Sequence, residues 1–317
     1  MYFKFMEERT DFETFYTTRI EPMLNKNRAL RNIVRNWGWG GIIALIFTLS
    51  NFLSCQSFKD ERTGFGWLAA FGIVILAMCI HQYATKRDTY LENFKETVIR
   101  EILLFVLPGV IYKPSAYVPS KEYRRSGLYR HRYNYFDGED YIAGVYKDVH
   151  FHCSELHTGY ETGTNVDRII FQGLFFVASV NHFFQSTTYI WSAENEQTGS
   201  IADEEYRFFP MPEVFHLHTG SKLFEKYFTV YSTNPTESHY LLTADMMQLL
   251  LRFRRQIKRE ISLSVVAGKC YVAIPIDENL FDPSFSNAGD KETVKGYFFS
   301  ALLVLSIINQ LQLSKLT

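Results

Sequence analysis

Charged residues stop at Arg35 and do not return until Lys59; they stop again after Arg62 and resume at Lys86. Each uncharged run is 23 residues long. As a helix it would span about 34 Å, slightly more than the hydrocarbon thickness of a bilayer. The hearts of the runs, Ile42–Leu49 and Leu68–Ile80, are dense in Ile, Leu, Val and Phe. Trp37, Trp39, Trp67 and Tyr83 lie near the ends, where amphipathic rings favour the membrane interface. Only Lys59-Asp60-Glu61-Arg62 separates the runs, so the pattern predicts an antiparallel transmembrane hairpin with spans at about 37–57 and 65–84. The alternative, two core helices of a soluble protein, fits poorly, because such helices carry polar groups more often. His81, close to a span end, reads as an interfacial side chain rather than part of a proton path.

Lys26, Arg28, Arg31 and Arg35 precede the first span, and Lys86, Arg87, Lys95 and Arg100 follow the second. The connecting loop has only Lys59 and Arg62, so the positive-inside bias places both termini in the cytoplasm. More than thirty mixed residues precede the first run, unlike a cleavable signal peptide. Gly40, Ala44 and Thr48, and Gly66 with Ala70, recur every fourth position. Such spacing lets helices approach closely, either within the hairpin or between copies; packing within the hairpin is the expectation.

Around the spans the period changes. Phe12, Phe15, Ile20, Met23 and Leu24 approximate an amphipathic helix interrupted at Pro22. Leu91, Phe94, Val98, Ile102 and Phe105 extend the second span until Leu107-Pro108-Gly109. From about residue 141 the pattern becomes β-rich. Val149, Phe151 and Cys153 alternate with polar neighbours, and 168–180 reads as a buried strand with 187–191 as its hairpin partner. The run 192–205 reads as a loop and 214–217 as a short strand. Ser221 caps a short helix, 228–231 is extended, and Thr243 caps a longer helix through Phe253. Residues 261–266 and 269–274 form a hairpin about Ala267-Gly268. The apolar stretch 297–308 is long enough for a core helix; a third span is the alternative.

The whole is an α+β chain: a cytoplasmic amphipathic helix over 1–35, the hairpin over 36–85, and a cytoplasmic, mainly antiparallel β-sheet domain with packed helices over 86–317. Its 33 basic and 34 acidic residues give no overall charge with which to attract a polyanion, and no nucleic acid is expected as a partner. The 28 Phe and 20 Tyr instead predict a dense core. The four cysteines are scattered without paired spacing, which argues against a zinc knuckle or a disulfide framework.

Several short motifs resemble those of a known family. Gly138-Glu139-Asp140 with Gly144, Ile170-Phe171-Gln172-Gly173-Leu174, the run from Phe224 to Ser232 followed by Tyr240-Leu241-Leu242-Thr243, and Asn279-Leu280-Phe281-Asp282-Pro283 occur in order after two spans. Together they resemble the bacterial membrane-protein family known as domain of unknown function 3137. Ala244 and Asp282 depart from the family pattern, which usually has proline and glutamate there. The resemblance implies bacterial origin, residence in the plasma (inner) membrane and this architecture, and it supplies no catalytic residues.

Candidate chemistry is sparse. His150 and His152 share a strand face from which Cys153 points away, so with His157 they do not readily converge on a metal; His216 and His218 form a second pair. Asp137, Glu139 and Asp140 form an acidic cluster without calcium-loop spacing. Lys121, Arg124, Arg125, Arg130 and Arg132 alternate with Tyr123, Tyr129, Tyr133 and Tyr135, read as a solvated or internally paired face. No catalytic, cofactor or metal residues are assigned. The expected function is that of a membrane-tethered binding or scaffolding module, contacting a protein partner, a second copy or the bilayer. The alternative is a membrane-anchored enzyme acting through Glu139 or Asp140.

Overall fold

The computed structural model describes residues 12–57, 62–161, 163, 167–180, 186–193, 213–283, 285 and 289–311. The chain forms two compact units. One comprises Phe3–Glu101 and Asp282–Lys295; the other comprises Ile102–Phe281 and Gly296–Thr317.

The first unit is built on two long helices. α1 (Phe12–Phe15) runs through a π-helical turn, Tyr16–Ile20, into α2 (Glu21–Ser57), and α3 (Arg62–Phe94) follows. The expected break at Pro22 does not occur. A proline lacks the N–H that would bond the carbonyl four residues back, and the π turn widens the helix just before it. A second π turn, Lys95–Ile99, joins α3 to α4 (Arg100–Val106), which ends before Gly109 at φ +80°. The helix therefore stops where Leu107-Pro108-Gly109 predicts.

α2 and α3 pack antiparallel through small residues. A Cβ on Gly38 would sit 3.4 Å from the Tyr83 ring and one on Gly40 3.6 Å from Cys79 Sγ, while one on Gly72 would overlap Thr48 Oγ1. The Gly40–Ala44–Thr48 stripe is thus used inside the hairpin. On α3 the close positions are Ala69, Gly72 and Cys79 rather than Gly66, which faces open space. Beyond the apolar section Asn27 continues the seam, donating to Thr97 Oγ1 at 3.2 Å and accepting from Asn93. The outer faces are apolar and uncovered: Ile43 and Val74 are 66% exposed and Trp67 78%. Both helices are long and apolar enough to cross a membrane, yet only 11% and 17% of their most apolar stretches are buried. Core helices of a soluble domain would hide that surface.

The second unit centres on a nine-stranded antiparallel sheet of order β1-β2-β3-β4-β9-β8-β5-β7-β6. Its strands are β1 (Ile111–Lys113), β2 (Tyr135–Tyr146), β3 (Val149–Glu161), β4 (Asp167–Ser179), β5 (Thr188–Ser192), β6 (Phe215–His216), β7 (Phe228–Ser232), β8 (Ser262–Val266) and β9 (Lys269–Pro275). The β8–β9 turn falls on Ala267 and Gly268, both at positive φ, as the sequence predicts. One pairing differs from expectation. β5 does not form a hairpin with β4; it pairs with β7 and β8, while β4 lies between β3 and β9. Periodicity identifies a strand but carries no information about its neighbour.

Helices complete the unit: α5 (Ser120–Ser126), α6 (Lys222–Glu225), α7 (Pro235–Leu241), α8 (Ala244–Ile257) and α9 (Lys291–Gln310), the last straddling the division between units. The Ser221 and Thr243 side chains cap α6 and α8 as expected, each accepting the backbone N–H three residues on. α7, capped by Asn234 with Pro235 in its first turn, is an additional helix. Val294, Ala301, Val304, Ile307 and Ile308 of α9 are buried, so the terminal apolar stretch is a core helix. The loop expected over 192–205 lies mostly outside the described residues.

Candidate functional site

Two polar clusters stand out in the sheet unit. The first contains the acidic motif. β2 bulges between Glu139 and Ile142, and in the bulge Asp140 takes the left-handed conformation, φ +59°. Aspartate tolerates this better than most residues. Its backbone N–H bonds Pro114 O at 2.8 Å, and its side chain, 1% exposed, accepts the Tyr112 hydroxyl. Opposite Glu139 in register lies Glu155, 2% exposed, whose Oε1 accepts the Leu280 N–H at 2.8 Å. Asn279 Nδ2 lies 3.5 Å from Glu139 Oε1, the limit of a hydrogen bond. The first and last sequence motifs therefore meet. The two buried carboxylates, Asp140 and Glu155, accept from a phenol and a backbone N–H, as buried charges require.

The motif glycines explain themselves in the same place. Gly138, Leu156 and Gly173 lie side by side across β2, β3 and β4. A Cβ on Gly138 would overlap Glu155 O and come within 2.9 Å of Leu156 Cδ2. Gly173 sits at φ +143°, where a Cβ would be 2.5 Å from Ile276 N. Phe281 is buried, and Asp282 forms a 2.8 Å ion pair with the buried Lys95 within the helical unit. Gly138, Asp140, Gly173, Phe281 and Asp282 thus each have a structural role.

The second cluster was not anticipated. Glu122 on α5 accepts Lys269 Nζ at 2.7 Å and the Tyr271 hydroxyl at 2.9 Å. Burial pushes the Glu122 carboxyl up, but these two hydrogen bonds outweigh it and leave it below its ordinary range. Burial, then the Lys269 ammonium, lower His152, with Glu122 opposing. Burial and the Glu122 bond raise the Tyr271 phenol. The cluster fastens α5 to the sheet beside a hydrophobic group of Val118, Tyr123, Leu156, Phe175 and Tyr271. Three tyrosines of the basic segment face this core, while Tyr135 is exposed: Tyr123 stacks on Tyr129, with ring centroids 5.7 Å apart, and meets Tyr133 edge-on; Arg124, Arg125 and Arg132 are exposed.

Both folded pKa values, of His152 and of Glu122, lie below the ordinary 6.5 and 4.5. In the window beneath each ordinary value the unfolded chain binds more protons, so stability is full above it and declines as pH falls. The unfolding midpoint should drop first below about pH 6.5 and again below about pH 4.5. His152→Gln should remove only the first step; a midpoint that rises from pH 7 to 5 would contradict this arrangement.

The described histidines lie apart in small groups. No group of three or more His, Cys, Asp or Glu among the described residues could hold a metal ion. His216 and His218 meet edge to face at 4.5 Å, and His216 packs on Tyr231 at 5.2 Å. Cys153 is buried on the face opposite His152, its thiol pushed up by burial.

Residues 169–313, from β4 through α9, match the family described as "Protein of unknown function (DUF3137)". This segment, a little under half of the chain, is similar to that family. The match includes the Gly173 and Asn279–Pro283 motifs, whereas the Gly138–Asp140 motif precedes it. No curated protein matches the chain. A crystal structure titled the mycobacterial trehalose monomycolate transport factor A, TtfA, is similar at 9% identity and a TM-score of 0.32, covering 65% of this chain and 94% of that one.

Proposed function

We propose that the chain is an integral membrane protein of the bacterial plasma membrane. Its hairpin crosses the bilayer twice, and it holds the DUF3137 domain in the cytoplasm as a binding or scaffolding module. The observation that carries this reading is the uncovered apolar surface of α2 and α3, whose remaining sides are consumed by packing on each other. Two helices exposing Ile, Phe, Val and Trp to water would aggregate; a lipid environment removes that cost. The basic residues on the open side of the hairpin support the cytoplasmic placement. A module that binds a protein partner or a second copy fits a domain whose described polar clusters are structural. It also presents the side chains of Phe215 and Tyr240 outward.

The enzyme reading centred on Glu139 and Asp140 is not favoured by any specific observation, since Asp140 is buried in a clamp. Orientation is tested in a Cys55→Ser background, which removes the thiol nearest the connecting loop, by placing a thiol on the exposed residue Lys222 (Lys222→Cys) and adding a membrane-impermeant maleimide. Labelling is expected only after the membrane is opened. Labelling in intact spheroplasts would overturn the cytoplasmic placement.

A further inference from the structure

We infer that Arg35, Lys86 and Arg87 form a binding site for the phosphate headgroups of anionic phospholipids, an inference that rests on the membrane-spanning reading above. The hairpin fixes their level. Gly38 packs on Tyr83 on one side, and Asn27 bonds Asn93 and Thr97 on the other. Arg35 on α2 therefore lies level with the Thr85–Lys86 region of α3, with Arg87 one residue farther. All three side chains are exposed.

Below them, toward the bilayer, come exposed Trp39, about 6 Å along α2, and exposed Ile80, about 9 Å along α3. The three cations thus sit one to two turns outside the apolar belt, at the depth of the headgroups. Along α2 and α3 the nearest acids are Asp88, one position beyond Arg87, and exposed Glu92 another turn away, so positive charge dominates this level of the two helices. Lys26 and Arg28, also exposed, continue it about 10 Å farther out. Two guanidinium groups match phosphate oxygens by paired hydrogen bonds, and the ammonium adds a point charge. Phosphatidylglycerol, with one uncompensated negative charge, fits this site; phosphatidylcholine, whose own cation opposes the cluster, does not.

The test reconstitutes the full chain into nanodiscs of equal parts phosphatidylcholine and phosphatidylglycerol and weighs the lipids it retains by native mass spectrometry. Each cation near an anionic surface is worth a factor of about five, so the retained ratio should favour phosphatidylglycerol by at least about fivefold. It should return to the bulk ratio in Arg35→Gln/Lys86→Gln/Arg87→Gln, and inorganic phosphate at millimolar concentration should not displace the lipid. A bulk ratio in the unaltered protein, or an unchanged preference in the triple variant, overturns this inference while leaving the anchor intact. A chain that leaves the disc altogether overturns the anchor reading and this inference with it.

Discussion

Gly173→Ala is expected to destabilise the sheet domain by more than about 3 kcal/mol, enough to leave much of the protein unfolded. At φ +143° alanine is strained wherever it sits, and here there is no room either. The methyl group would fall against Ile276 N and within 3.0 Å of Pro275 Cα, both parts of backbone that a rotamer change cannot move. That backbone is the end of β9, hydrogen-bonded to β4 and continuing through Ile276 N–H to Gln172 O at 3.0 Å. The strain must therefore be relieved by parting two central strands. Thermal unfolding followed by circular dichroism in detergent reads the effect. Alanine accepted at Gly173 with an unchanged midpoint would mean that β4 and β9 are farther apart than described.

Asp140→Ala should cost about 2–3 kcal/mol, or roughly 5–10 °C in a domain of this size. The substitution removes the acceptor of the Tyr112 hydroxyl and leaves alanine in a left-handed conformation that aspartate tolerates. Asp140→Asn keeps an oxygen acceptor and the same backbone tolerance, so it should recover most of the loss. The pair separates clamp from catalyst. A structural carboxylate yields a midpoint that tracks abundance and is rescued by asparagine. A catalytic one yields lost cellular activity with an unmoved midpoint and no rescue.

What the sequence discloses depends on the reach of the interaction. The hairpin, the β8–β9 turn and the Ser221 and Thr243 caps are each decided within a few residues, and each is where the local pattern puts it. Partners distant in sequence are not. β5 reads equally well beside β4 as beside β7, and only the folded sheet distinguishes them. Glu122 meets Lys269 and Tyr271 across nearly half the chain; the i, i+2 spacing of the last two puts them on one strand face, but nothing local points to the glutamate. Glu155 carried a usable signal. It continues the inward series Val149, Phe151, Cys153, and a carboxylate at an inward position calls for a buried donor, here the Leu280 N–H. Gly138 and Gly173 were visible within motifs, yet their reason, backbone approaching backbone between β2 and β3 and between β4 and β9, is a property of the assembled sheet.

Washing membranes from expressing cells at alkaline pH without detergent, then floating them through a density gradient, tests the anchor most directly. Peripheral proteins are stripped by this treatment, whereas helices that buried the exposed Ile43, Val74 and Trp67 side chains in lipid would hold the chain in place. The full-length protein should rise with the lipid and enter solution only with detergent. Recovery in the aqueous fraction, monomeric and folded, would contradict a bilayer-spanning hairpin.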